Sequence, residues 1–505
     1  MNGQNEQFSW QPPELPVYPT GKRELLFGGA MLLCSVFLWN VILYGGFNLG
    51  FALGTIAVIG CSAGYLHGRA CRFDRYSGAL LVLACLIAAG FGRSSDGFVK
   101  LVLLLFLIFA VNLSLCLASG QNRRSPNGFG SVLDASRSAF VFSFGSMAAA
   151  GRGLNEARKN AGTVGKKGSA AVIGLAAAIP LVAVMVFLLM RADAAFEGLM
   201  DLLPETDWEE PLRSLLFGGI MGITLYSRGT GLVHKEKALA APSGRRGIHP
   251  ITVNTILGSV CILYGVYLLS QLAYFSGGLS GILPEGYTLA QYARRGFFEM
   301  AWLSAINLAI VCLAMGLVEK TEKPPLLTRS FCLFLGMVTL FLIAAASAKM
   351  FLYIGSYGLT RLRVLTEVIM VWLAITTVLV CLWLFRPSLP YMKAVVLSAL
   401  ILGVAVIWVD VDTQVARYNV RSYQSGALDT IDMAHLAGLG YGAVPYIEEL
   451  TRDDDPEVAQ TAQDILQNRS CHTEDFRDWN YSKAKAEEIL ERNRHPLPVR
   501  EPLSQ

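Results

Sequence analysis

The sequence predicts an all-α fold: a polytopic transmembrane helix bundle of about 11 spans, with a small C-terminal helical domain outside the membrane. The chain holds a series of apolar runs, most of them near the roughly 20 residues an α-helix needs to cross the hydrocarbon core. It is 53% hydrophobic and only 16% charged. An average soluble domain is about 25% charged, so lipid must be the solvent for much of this surface. After residue 410 the material changes, with 17 carboxylates and ten Lys and Arg in place of apolar runs.

The runs place spans at residues 25–44, 47–66, 77–91, 99–118, 170–190, 212–226, 252–275, 297–318, 330–354, 364–385 and 392–409. Those at 77–91 and 212–226 are short enough to be re-entrant, or to need their flanks to complete a crossing. The implied organisation is a polar N-terminal tail (1–24), a first transmembrane group (25–118), a basic loop (119–169), a second transmembrane group (170–410), a helical extramembrane domain (411–494) and a disordered tail (495–505). Residues 1–20 are polar and lack a cationic start, and no small-residue cleavage site follows the first run, so the run reads as a retained span and not a signal peptide.

Orientation follows from the placement of Lys and Arg. One set of alternate loops carries Lys22, Arg23, Arg69, Arg72, Arg75, Arg123, Arg124, Arg137, Arg152, Arg158, Lys159, Lys166 and Lys167, and continues with Lys235, Lys237, Arg245 and Arg246. The other set is poor in cations, with Arg93, Lys100, Arg191 and Arg213 among the few. The N-terminus is therefore expected in the cytoplasm. An odd number of spans then puts the C-terminal domain outside a bacterial cytoplasmic membrane. Within the basic loop, the apolar stretch 139–150 is too short to cross. Flanked by Arg137 and Arg152, it is a candidate interfacial helix, the alternative being a partly buried loop.

In the tail, Leu428, Ile431, Leu436 and Leu439 recur near helical spacing. Gly440, Gly442 and Pro445 mark a break, Ile447 and Leu450 fall in a second helix, and Asp455-Pro456 starts a third. A fourth covers 483–492, with Ser482 as its candidate N-cap.

Charges in or beside spans are costly, about 2.5–3.5 kcal/mol each at a helix centre, and so point to functional positions. Arg294, Arg295 and Glu299 enter the eighth span, with Asn307 further along it. Lys349 lies near the end of the ninth, Arg361, Arg363 and Glu367 enter the tenth, and Asp410 and Asp412 leave the last. Their convergence would make a polar, outward-facing cavity. The alternative is structural: Lys349 snorkels, Arg295 with Glu299 and Arg363 with Glu367 form i,i+4 pairs, and the two aspartates mark the membrane exit.

Gly46, Gly50 and Gly54, with Gly60 and Gly64 beyond, read as a helix-packing surface, since small residues let helices approach in lipid. The ten cysteines contain no CxxC pair, and the six histidines show no metal-ligand spacing. No phosphate-binding loop and no nucleophile elbow occurs, so neither a metal nor another cofactor is expected. The expected partners are membrane lipids and an envelope protein met through the C-terminal domain. The scattered basic residues form no nucleic-acid surface.

Three stretches carry a family resemblance: PEGYTLAQYARRGFFEMAWLSAIN at 284–307, YIGSYGLTRLRVLTEVIMVWLA at 353–374, and ARYNVRSYQSGALDTIDMAHLAGLGYGAVPYIEEL at 416–450. Together with DWNYSKAKA at 478–486 they resemble a bacterial membrane-protein family known as domain of unknown function 4173, and its broader relative 4153. The resemblance implies a multi-pass architecture and a bacterial cell-membrane location, and assigns no activity. The leading functional reading is transport-like, through the polar cavity. Its rivals are a membrane-anchored sensor or envelope assembly protein, and a membrane enzyme acting on lipid or envelope precursors. For the enzyme, Glu299, Glu367 and Asp410 would be the acid or base groups, although no spacing identifies a reaction.

Overall fold

The computed structural model describes residues 16–123, 127–128, 130–160, 209–234, 248–277, 289–317 and 326–494, with scattered positions between 174 and 193. The described chain is helical apart from turns and one isolated bridge residue. Its membrane helices are α1 (Lys22–Tyr44), α2 (Leu49–Gly68), α3 (Arg75–Gly90), α4 (Gly97–Ala118), α7 (Glu209–His234), α8 (Pro250–Gly277), α9 (Leu289–Leu317), α10 (Leu326–Tyr357), α11 (Arg361–Phe385) and α12 (Tyr391–Val409). Among the described residues eight of these are long and apolar enough to cross a membrane: α1, α2, α4 and α8 to α12. The chain is thus a multi-pass membrane protein.

The expected spans at 77–91 and 212–226 are helical but fall outside those eight. Helix α3 is a 16-residue apolar helix, whose first turn is held by Asp74 accepting from the Ser77 amide at 2.8 Å. Helix α7 is 26 residues long and less apolar, because it carries Glu209, Glu210, Arg213 and Arg228. The expected span at 170–190 lies largely outside the described residues, as does the tail 495–505.

Two packing units make up the bundle. Helices α1 to α4, α7 and α12 share one core, with Met31, Leu66, Leu80, Ile87 and Ile407 fully buried. Helices α8 to α11 share two smaller cores, around Leu335 with Leu342 and around Phe297 with Ala346. Helix α11 packs on both α10 and α12 and joins the units.

The glycine expectation divides. A Cβ at Gly50 would come within 2.8 Å of Val41, and one at Gly54 within 3.0 Å of Leu38, so both serve the α1–α2 approach. Gly46 is a turn residue at φ +68, where L side chains are strained. Gly60 and Gly64 face open space, with nothing within 4 Å of a Cβ. Another close helix–helix approach lies at Gly218 of α7, where a Cβ would collide with the Val36 backbone of α1.

The basic loop holds α5 (Gly130–Arg137), a π-helical turn (Ser138–Phe142) and α6 (Met147–Asn160). Phe142, Ala149 and Ala150 are buried in the first core, whereas Leu133, Phe140 and Phe144 are exposed. The segment therefore has one face on the bundle and one apolar face turned away from it.

The C-terminal domain comprises α13 (Val411–Gln424), α14 (Met433–Ala437), a 3₁₀ turn (Tyr441–Ala443), α15 (Val444–Leu450), α16 (Pro456–Asn468) and α17 (Tyr481–Arg494). Its own core includes Val415, Leu436, Ile447, Leu450, Leu466 and Leu490. One expected cap is corrected. The α17 N-cap is Asn480, whose Oδ1 accepts from the amides of Ser482 (3.0 Å) and Lys483 (3.3 Å), and the Ser482 hydroxyl is turned to other partners.

Candidate functional site

The C-terminal domain sits on the bundle end formed by the α1–α2 and α3–α4 turns and by the start of α11. Arg361, first residue of α11, donates from Nε and Nη2 to the two carboxylate oxygens of Asp412 on α13, both at 2.8 Å. This side-on, two-bond geometry is the strong form of the arginine–carboxylate pair. Asp96, the N-cap of α4, places Oδ2 2.8 Å from the same Arg361 Nε. Its other oxygen is occupied by the amides of Phe98 (2.9 Å) and Val99 (3.1 Å). Asp412 is fully buried and also accepts from the Gly440 amide at 2.8 Å. Burial, reinforced by the neighbouring Asp412 charge, pushes the Asp96 carboxyl above the usual carboxylate range, against the pull of its backbone bonds and Arg361.

Asp410 forms the second centre. It lies between α12 and α13 with φ +56, in the left-handed region that Asp enters more readily than most residues. Its Oδ1 accepts from Ser94 (3.1 Å), and its Oδ2 from Thr413 (2.8 Å) and Ser482 (2.6 Å). Every one of these acceptor contacts ties the membrane exit of α12 to either the α3–α4 turn or the tail domain.

Asn480 deepens the contact by donating to the carbonyls of Phe91 (3.1 Å) and Ser94 (2.6 Å). Backbone bonds run between the domains, from Leu49 N to Trp479 O at 3.0 Å and from Tyr481 N to Gly92 O at 2.9 Å. Lys100 Nζ donates to Asn48 Oδ1 at 2.8 Å and feels the charges of Asp410 and Asp96. A second tether joins Arg477 of the domain to Glu210 at the start of α7, and Glu210 also accepts from Asn40 of α1 at 2.8 Å. The close fit needs glycine. A Cβ at Gly440 would stand 2.5 Å from Ser95 Oγ, and one at Gly442 2.2 Å from Thr413 Oγ1.

Of the residues the sequence singles out, Arg361, Asp410 and Asp412 meet in this junction. Arg363 does not join them, nor does it pair with Glu367. Its guanidinium caps the Gly358 carbonyl and lies 4.1 Å from the centre of the Tyr353 ring. Glu367 lies near Ser347 of α10, with its Oε1 buried and unbonded. Lys349 and Glu299 interact with each other between α10 and α9. Asn307 is buried and accepts from the Tyr264 hydroxyl of α8 at 2.9 Å. Arg294 and Arg295 lie on the first turns of α9, with side chains outside the described set.

Sequence reasoning missed Asp96, Ser94, Asn480, Glu210 and Arg477, and read Ser482 only as a helix cap. An Asp at the start of an apolar run, as at Asp96 before 97–118, is a readable cap signal. The others lie in turns and loops or, for Glu210 of α7 and Ser482 of α17, in the first turn of a helix, where partners are set by tertiary contact alone.

The opposite end of the bundle has its own buried centre. Glu24 of α1 pairs with Arg69, accepts from Tyr65 at 3.1 Å and lies 3.6 Å from His234 at the end of α7. Nearby, Arg228 of α7 is buried with neither Nε nor Nη2 bonded. No group of three His, Cys, Asp or Glu able to hold a metal occurs among the described residues.

At the span–domain junction, then, buried carboxylates are matched by guanidinium, amide and hydroxyl donors, an arrangement that joins two parts of a chain. No curated protein and no solved structure matches this sequence. Residues 26–450, which run from the second turn of α1 to the end of α15, match the family described as Domain of unknown function (DUF4153), and the chain belongs to that family.

Proposed function

We propose that the protein is a membrane-anchored interaction platform, in which the helix bundle fixes the C-terminal helical domain at one membrane face for a partner there. The observation that carries this reading is the Arg361–Asp412–Gly440 connection. The charges best placed to line a cavity are spent on holding the domain. A bundle that only anchored a freely tethered domain would gain nothing from burying Asp410 and Asp412. The partner is proposed to be an envelope protein. The chain is placed in a bacterial cell membrane, N-terminus in the cytoplasm and domain outside, in keeping with its likeness to the 4173 family.

Photo-crosslinking from exposed domain positions, such as Phe476 and Asp454, tests the interaction. The expected result is a discrete protein adduct that disappears when Asp412→Asn loosens the domain. Adducts with lipid alone would refute it. Native Cys471 is buried and a poor topology reporter. Asp454→Cys and Lys159→Cys occupy exposed sites. In intact cells the first should label and the second should not, and the reverse pattern would invert the orientation.

A second, transport-like reading draws on a different observation. Helices α8 to α11 hold polar groups between them, with Tyr264 on the buried Asn307, Ser347 near Glu367, and Lys349 near Glu299. Polar groups inside a membrane bundle often mark an ion or solute path. Proteoliposomes loaded with ion-sensitive dyes test this. Flux abolished by Glu367→Gln supports it, and dye signals equal to empty liposomes refute it.

A further inference from the structure

Arg228 lies in the last two turns of α7, where that helix packs on the π-helical turn and on α6. This is a layer of buried polar side chains: Ser138, Ser146, Ser227 and Thr230 are all shielded from solvent. Ser227 donates to the Phe142 carbonyl at 3.5 Å, and Gln121 Nε2 donates to the Leu232 carbonyl at 3.4 Å. Arg228 is only 8% exposed, yet neither its Nε nor its Nη2 has a hydrogen-bond partner. Asp134 of α5, a buried acid near the same Cys116 thiol, accepts from the Arg123 amide at 2.9 Å and leaves those two nitrogens unbonded.

Which nitrogens are unpartnered matters. Nε and Nη2 form one edge of the guanidinium, two parallel donors spaced to meet two oxygens of one anion. On Arg361 the same edge is filled by the two oxygens of Asp412. On Arg228 both donors of that edge are unmatched. A buried lysine could shed its proton, but a guanidinium keeps its charge, so an anion is what remains to offset its burial. Ser138 adds a third donor, since its hydroxyl is fully buried and unbonded, and Cys116 of α4 lies near both Ser138 and Arg228. Two parallel N–H groups and one O–H outside the fork suit an anion with three or more oxygens. We infer that Arg228 and Ser138 bind a phosphate group. Cys116 is two residues from the end of α4, which sets the layer at the depth of lipid headgroups. Phosphate can therefore arrive on a phospholipid of that leaflet or as the free ion. The inference stands apart from the platform reading, since this layer lies at the other end of the bundle from the C-terminal domain.

Full-length, delipidated protein in phosphate-free detergent is titrated separately with inorganic phosphate, dihexanoyl phosphatidylglycerol and dihexanoylglycerol at constant ionic strength, and the thermal midpoint is recorded. The midpoint should rise saturably with inorganic phosphate or phosphatidylglycerol and not with the phosphate-free lipid. A response to phosphatidylglycerol alone identifies a headgroup site, and a response to inorganic phosphate identifies a site open to the free ion. Arg228→Met should at least match the wild-type midpoint before titration and then fail to respond. Arg228→Lys, which keeps the charge and loses the fork, should weaken the apparent affinity at least about tenfold. Ser138→Ala should weaken it about threefold or more. Lys159→Gln, at an exposed cation of α6, should leave it unchanged. No response to either phosphate source, or an equal response in Arg228→Met, would assign the two donors to buried water and overturn the proposal. Unchanged affinity in Arg228→Lys would overturn the two-bond geometry. If both Arg228 variants fail to fold, the wild type and Ser138→Ala decide, and equal affinity of the two overturns the site.

Discussion

Arg361 and Asp412 lie 51 positions apart in the chain and meet in two parallel hydrogen bonds of 2.8 Å, with the Asp412 side chain fully buried. This pair joins the membrane bundle to the C-terminal domain. Removing one partner leaves the other charged and uncompensated, a defect of about 3–5 kcal/mol for a buried pair. Asp412→Asn and Arg361→Gln should each lower the thermal midpoint strongly and open the 424–433 turn to limited proteolysis. Asp96→Asn should cost less than about 1 kcal/mol, because an amide oxygen can still cap α4 and the repulsion with Asp412 is relieved. Equal losses for Asp96→Asn and Asp412→Asn would show that the two carboxylates share the guanidinium evenly.

The glycines of the junction make a second prediction. Gly358 has φ +72, and a Cβ there would meet Asn419 Oδ1 at 2.7 Å. Asn419 is committed, since it accepts from the Leu359 amide (2.6 Å) and donates to the Leu359 carbonyl (2.8 Å). Gly358→Ala should destabilise by about 1–3 kcal/mol through strain and displacement of this amide. Gly29→Ala, with nothing within 4 Å of its Cβ in the middle of α1, should be neutral or slightly stabilising. Thermal unfolding of the two variants in one detergent decides the point.

Acid should loosen the second tether before it unfolds the bundle. The hydrogen bond from Asn40 holds the Glu210 carboxyl below the usual glutamate range and, against some desolvation, Arg477 adds to the effect. A depressed folded-state pKa gives stability that is complete above the ordinary value, about 4.3, and is lost as pH falls through the folded value. In the Asp478–Lys483 pair burial opposes both charges, and the 2.5 Å bond outweighs it, lowering the acid and raising the base. Its contribution is therefore lost at the acid end through Asp478 and at the alkaline end through Lys483. Stability against pH should fall below about pH 4, and Glu210→Gln should flatten part of that acid limb. An unchanged acid limb would remove Glu210 from the account.

Arg228 allows a test of the opposite sign. Its buried guanidinium leaves two nitrogens unbonded, so its charge contributes little to offset its desolvation. Arg228→Met should match or exceed the wild-type thermal midpoint by up to about 2 kcal/mol in unfolding free energy. A large loss would mean that the guanidinium has a partner in the membrane-embedded protein.

Much of this architecture is legible in the sequence because hydrophobic length is a strong, local signal. The runs at 25–44, 99–118 and 392–409 correspond closely to α1, α4 and α12. The change of composition at 410–411 falls where α12 ends and α13 begins. The pairing of the charges is not legible in this way. Helical spacing suggested Arg363 with Glu367, yet Arg363 turns back to the Gly358 carbonyl and Glu367 faces Ser347 on the next helix. The partners that complete the junction, Ser94 on one side and Asn480 with Ser482 at the start of α17 on the other, lie far apart in the chain, where only the three-dimensional fold determines which groups meet.

The left-handed backbone at Asp410 decides how motion can pass through the molecule. Without it, α12 and α13 would run on as one straight rod leaving the membrane. With it, the rod is broken at a corner, and the corner is bolted on three sides by the hydroxyls of Ser94, Thr413 and Ser482. A bolted corner behaves as a stiff crank and not as a hinge. Tilt or rotation of α12 within the bilayer must swing the whole C-terminal domain, and a force applied to that domain must twist α12 in return.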